Sequence, residues 1–155
     1  TKTSAAVEVI ANTYHSQLVT WMKEKPFSIL VDESADISVM EQVAFAVRIC
    51  RNETKTYHYV TKTVSAPNAN NIFSALAGAF TEDAIPWDNV LCFCSDGANV
   101  MRGSKNSILT RVLAEQPSAY AMYCPFHVLA LCASNAATSY DEGMQPLLVD
   151  IAYHF

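Results

Sequence analysis

Two short apolar runs that each stop at an aspartate constrain this chain more than any other feature. Phe27-Ser28-Ile29-Leu30-Val31 leads into Asp32, and Val90-Leu91-Cys92-Phe93-Cys94 leads through Ser95 into Asp96-Gly97. Apolar runs of this length, bounded by polar residues, read as buried strands. An unpaired carboxylate is costly inside such a strand, so each Asp marks a strand exit. Gly97 beside Asp96 lets the backbone turn or a ligand approach closely. Two strands that each end in Asp suggest a shared metal site.

The flanking pattern supplies the other elements. Over residues 3–24, Val7, Ile10, Tyr14, Leu18 and Trp21 follow steps of three and four, with Pro26 just beyond, which predicts a helix. A strand over 27–32 is followed by a polar connection over 33–39. From 42 to 50, Val43, Phe45, Val47 and Ile49 alternate with Ala44, Ala46, Arg48 and Cys50, the period of a strand. A charged turn over 51–55 returns the chain into a strand over 57–64. Pro67-Asn68-Ala69-Asn70 opens a helix to about Thr81, with Ile72, Phe73, Leu76 and Phe80 inward. A strand follows over 90–94. Ser104 is expected to cap a helix to about Gln116, with Ile108, Leu109, Val112 and Leu113 inward. A strand covers 120–124, Pro125 starts a helix to about residue 138, and a last helix covers 144–155.

Three early strands joined by short turns form an antiparallel meander, and later strands separated by helices form parallel crossovers. A five-stranded mixed α/β sheet with flanking helices, in the order 3-2-1-4-5, satisfies both. The first and fourth strands are then parallel neighbours whose C-terminal ends share one edge. Asp32 and Asp96 come together there, where ligands of open α/β sheets gather.

Composition narrows the function. Hydrophobic residues make up 51% of the 155 positions and charged residues 16%. That is ample core for one domain, with apolar surface left to meet more chain. The non-Met start and the apolar end over 147–155 read as an excised fragment. A net charge of −5 argues against a broad basic face gripping nucleic acid. Five cysteines at irregular spacing, no signal peptide and no long apolar run predict a reducing intracellular compartment and no membrane span.

Two carboxylates at one sheet edge require a cation or a proton. Mg²⁺ takes one or two carboxylates plus water and substrate phosphates, and a pair of such ions can drive phosphodiester cleavage. The plainer alternative makes each Asp a turn or cap residue. Glu33 and Asp36 also follow the first strand and either could assist a metal site, although Asp36 reads rather as a turn or cap. Cys124-Pro125-Phe126-His127 is a C-x-x-H element that could be half a zinc site. Two more ligands would be needed, and Cys92, Cys94 and Cys132 are poorly placed, so zinc is not expected. The one-turn spacing also argues against Cys124 and His127 acting as nucleophile and base.

The segments Val31-Asp32-Glu33-Ser34-Ala35-Asp36, Cys94-Ser95-Asp96-Gly97-Ala98-Asn99-Val100-Met101 and Cys124-Pro125-Phe126-His127-Val128-Leu129-Ala130-Leu131, in this order, resemble hAT-superfamily transposases and host proteins derived from them. The resemblance covers about residues 25–140. It implies a ribonuclease-H-like core over 26–140, an N-terminal helix (1–25) packing on it, and the start of a helical insertion at 141–155. It implies DNA cleavage and strand transfer, with Asp32 and Asp96 as the first two catalytic carboxylates holding Mg²⁺ or Mn²⁺. Asp36, Gly97, Cys124 and His127 match motif positions, the last two with a structural or DNA-handling role. Ala35, Tyr123 and Val128 depart from residues usual in the family. The third catalytic acid, a Glu, lies beyond the insertion, so the fragment alone is expected to be inactive. Nuclear localisation, DNA as partner and self-association through a C-terminal region follow from the same resemblance. The competing expectation is a domesticated, non-enzymatic protein- or chromatin-binding module. A small phosphatase with the same sheet is weakened by Ser34, where it would need an acid two residues after Asp32.

Overall fold

The structure is a computed structural model that describes residues 2–35 and 41–140. Its five strands form one mixed sheet in the order β3-β2-β1-β4-β5, as the connections predicted. β1 (Phe27–Ala35), β2 (Glu41–Cys50) and β3 (Thr54–Val64) make the antiparallel meander. β4 (Val90–Ser95) runs parallel to β1, and β5 (Tyr120–Tyr123) lies beyond it. α1 (Lys2–Glu24) precedes the sheet. α2 (Ala69–Glu82) and a 3₁₀ turn (Trp87–Asn89) carry the chain from β3 to β4. α3 (Asn99–Arg102) and α4 (Ile108–Glu115) carry it from β4 to β5, and α5 (Pro125–Tyr140) follows.

Alternation decides which face is buried. Val43, Phe45, Val47 and Ile49 of β2 are all buried, and their partners Val31, Ile29 and Phe27 in β1 share that face. Leu18, Val19 and Met22 of α1, Ile72, Leu76 and Phe80 of α2, and Ile108 and Val112 of α4 belong to the same cluster. Each fully buried side chain of this kind contributes about 1.5–3 kcal/mol. Phe80 is the hub: Phe27 and Tyr59 meet it edge-on with centroids 6.0 Å away, and Trp87 lies at 4.6 Å.

A bulge places the third ring. The β2–β3 register shifts between Phe45 and Ala46, so Tyr59 is an extra residue between Val60 and His58. Its side chain turns into the core, where the hydroxyl donates to Asp83 Oδ2 at 2.7 Å, with the Ala79 carbonyl oxygen at 3.0 Å. His15 Nε2 lies 3.0 Å from the same Asp83 oxygen and its ring stacks on Tyr59. Burial, then the Asp83 hydrogen bond, push the Tyr59 phenol far above its ordinary range.

Several boundaries differ from the sequence reading. β1 continues past Asp32 to Ala35, because β2 begins at Glu41 and pairs along the whole hairpin. β3 starts at Thr54, which shortens the charged turn to 51–53. α4 is capped by Ser107 rather than Ser104. The buried Ser107 hydroxyl accepts the Thr110 N–H at 3.2 Å, and Thr110 Oγ1 returns a bond to the Ser107 N–H at 3.0 Å. Only the last turns of α1 pack: Val7, Ile10 and Tyr14 are 61%, 69% and 42% exposed. Periodicity gives a helix an apolar face but does not supply a surface opposite it. The helix expected over 144–155 lies outside the described residues.

The chain divides into two compact units, Thr1–Met122 and Tyr123–Phe155. The buried layer belongs to the first. In the second, α5 exposes Phe126, Leu129 and Leu131. No helix among the described residues is long and apolar enough to cross a membrane.

The end of α2 carries measurable strain. Ala84 has φ 51°, and the chain reverses through Ile85 N–H to Phe80 carbonyl (2.8 Å) and Ala84 N–H to Thr81 carbonyl (3.2 Å). This is the paired-bond helix ending that glycine normally serves. The left-handed conformation costs an L-residue about 1–2 kcal/mol, partly offset by the greater freedom of glycine in the unfolded chain. Ala84→Gly is therefore expected to stabilise by about 0.5–1 kcal/mol and raise the thermal midpoint by roughly 1–3 °C. A lower midpoint by circular dichroism would contradict this.

Candidate metal centre

β1 pairs with β2 as far as Ala35↔Glu41, but with β4 only as far as Leu30↔Cys94. Beyond Leu30 the β4 side of β1 is open. Asp32 lies two residues past Leu30 and Asp96 two past Cys94, so each follows the last β1/β4 pair by the same two positions. Both follow the parity of Leu30 and Cys94, opposite to that of the buried Ile29 and Phe93. Asp32 is exposed and Asp96 half-buried. Across β2, Asp32 faces Ala44 and Leu30 faces Ala46, small side chains that leave room on this face.

The Asp96 loop is held by its own side chains. Asp96 Oδ1 accepts the Ala98 N–H at 3.1 Å, an Asx turn that orients the carboxylate and leads into α3. Ser95, 1% exposed, donates its hydroxyl to the Asp96 carbonyl at 3.0 Å. No described glycine has a positive φ, so the turn does not draw on the conformational freedom expected of Gly97, which is exposed. The side chain of Asp96 makes the turn instead.

Three residues to which the sequence reading gave no role of their own anchor α3. Met101 is 1% exposed in the core. Arg102 Nη1 donates to the Met122 carbonyl at 2.8 Å, tying α3 to β5. A Cβ on Gly103 would lie 2.6 Å from the Asn99 carbonyl oxygen, so only glycine lets α3 end here. The sequence signal was the Met-Arg-Gly that follows the Asp-Gly turn.

The donor set at this edge is oxygen only and suits a hard divalent cation, with two carboxylates as a typical protein contribution to Mg²⁺. Among the described residues no three His, Cys, Asp or Glu side chains converge on one ion site. Asp36 lies outside the described residues.

Cys124 and His127 do meet. Cys124 precedes the first turn of α5, where its carbonyl accepts the Val128 N–H at 3.2 Å. The His127 side chain, followed by the His127 and Phe126 N–H groups, holds the Cys124 thiol below its ordinary range. The contact forms at this short spacing because Cys124 sits just outside the helix. Cys92 behaves oppositely: burial raises its thiol, while the Arg102 charge pulls it down.

Residues 3–107 match DUF4371, the ZMYM1/FAM200 RNase-like domain. The chain belongs to this family. The matched span holds β1 through β4 and both aspartates, so this DUF4371 domain is transposase-derived and ribonuclease-H-like, in agreement with the sheet order. No curated protein matches the chain.

The Cys124 environment gives a pH signature. Alkylation of Cys124 by iodoacetamide, followed by peptide mass spectrometry, is expected to begin below the pH usual for a free thiol, and His127→Ala should move its onset upward. An onset at the same pH in both proteins would contradict the thiol–imidazole bond.

Proposed function

We propose that this DUF4371 domain is the N-terminal part of a hAT-type transposase core that binds Mg²⁺ or Mn²⁺ through Asp32 and Asp96 and acts on DNA in the nucleus. The observation that supports it is the parallel β1/β4 register, which ends at Leu30↔Cys94 with one aspartate two positions beyond on each strand. Such a cation, when bound, activates a water and stabilises the leaving oxygen of a phosphodiester. The protein's part is placement. Asp32 is carried by a strand paired to β2 on one side, and Asp96 is oriented by the Ala98 N–H. Rigid backbone under both carboxylates reduces the ordering needed when an ion arrives.

The reading calls for a third acid, a Glu, and for self-association. Among the described residues no third acidic side chain joins Asp32 and Asp96, so the described core is expected to bind metal without cutting DNA.

Titration with Mn²⁺, followed by electron paramagnetic resonance, tests the pair. Asp32→Asn and Asp96→Asn should each weaken binding by more than about ten-fold. Asn at 96 retains an oxygen to accept the Ala98 N–H, so its thermal midpoint should stay near that of the parent. Unchanged Mn²⁺ affinity in both variants, or gross unfolding of Asp96→Asn with metal affinity retained, would overturn the assignment.

A further inference from the structure

Charge is unevenly placed along the sheet. Five of the ten basic residues, Lys23, Lys25, Arg48, Arg51 and Lys55, fall at the end where α1 finishes, β1 begins and the β2–β3 hairpin turns. Asp32 and Asp96 lie at the opposite end, roughly 17 Å away at about 3.3 Å per residue along β1.

The hairpin end is shaped as well as charged. The Arg51 guanidinium carbon sits 4.0 Å from the centroid of the Trp21 ring. Tyr57 meets Trp21 with centroids 5.5 Å apart, and Tyr14 extends the row at 6.4 Å from Tyr57. Beside them, Arg51, Asn52, Glu53, Lys55 and Tyr57 line a depression of about 290 Å³. Among the described residues no carboxylate lies in ion-pair range of Arg51, while Lys55 pairs with Glu53 at 3.0 Å. Stacking on Trp21 removes much of the rotamer freedom that a phosphate contact would otherwise cost.

From this arrangement we infer that the β2–β3 hairpin end docks single-stranded nucleic acid. Arg51 and Lys55 contact phosphates, and an unstacked base enters the depression against Tyr57 and the Asn52 amide. Cationic grooves with aromatic platforms are the recurring solution for single strands, where each stacked base contributes about 1–3 kcal/mol. A duplex hides its base faces and could use only the two cations. An acidic peptide would likewise match the cations but not the aromatic row. The site does not depend on Asp32 and Asp96, and its test needs no metal.

Fluorescence anisotropy of labelled (dT)20 with the 155-residue chain, in low salt and EDTA, measures it. Arg51→Ala and Lys55→Ala should each weaken binding at least about five-fold, Lys55→Ala with unchanged melting because its side chain is exposed and Arg51→Ala with at most the small loss of its stacking on Trp21. The double variant should lose about 1.4 from the slope of log K against log salt, at 0.7 per phosphate contact. Glu53→Gln should tighten binding by removing the competing carboxylate. Lys105→Ala, in the α3–α4 connection, and Asp32→Asn should leave it unchanged. In a Trp87→Phe background, Trp21 emission should change on titration. No binding by the parent, equal affinity for duplex of the same length, displacement by poly-glutamate as effective as by (dT)20, or equal loss in Lys105→Ala would each overturn the proposal.

Discussion

The pairing of β1 with β4 is the contact on which the rest of the structure depends. It is the only described place where the antiparallel meander and the crossover half of the sheet share backbone hydrogen bonds. Its register follows from burial, because Ile29 and Phe93 must enter the same apolar layer. A slip of one residue would turn Phe93 out of that layer. The same slip would separate the two aspartates. Core packing and the candidate metal edge are thus set by one interaction.

Two polar devices hold the periphery to that sheet. At one edge, the Tyr59 bulge sends a phenol through the core to Asp83 and the end of α2, and His15 brings α1 to the same carboxylate. At the other, Arg102 reaches from α3 to the Met122 carbonyl. Each joins elements distant in sequence. Both flank the strands that carry Asp32 and Asp96 without using either residue.

Much of this was legible from residue order. The alternation in β2, the run in β4 and the lengths of the connections led to the sheet order, and the two apolar runs ending in Asp led to the β1/β4 edge. Misreadings arose where a local signal had more than one solution. Ser104 and Ser107 both offer a cap, and the choice fell to Ser107, whose hydroxyl is buried beside Thr110. The stripe from Val7 to Trp21 describes a helix face, yet only its C-terminal end finds a partner. Asp96-Gly97 suggested a glycine-dependent turn, while the Asp96 carboxylate makes the turn itself.

The sequence by itself determined most of the elements, the sheet order and the transposase-derived, ribonuclease-H-like character, because periodicity, connection length and motif order are local properties that survive without coordinates. Tertiary structure alone decided which surfaces meet. The bulge at Tyr59, the stacking of Arg51 on Trp21 and the Arg102 tie to β5 join residues 20 or more positions apart, with a geometry that depends on strand register and twist. No sequence period encodes such contacts. They arise when burial of one face brings the unburied groups of separate elements within reach of one another.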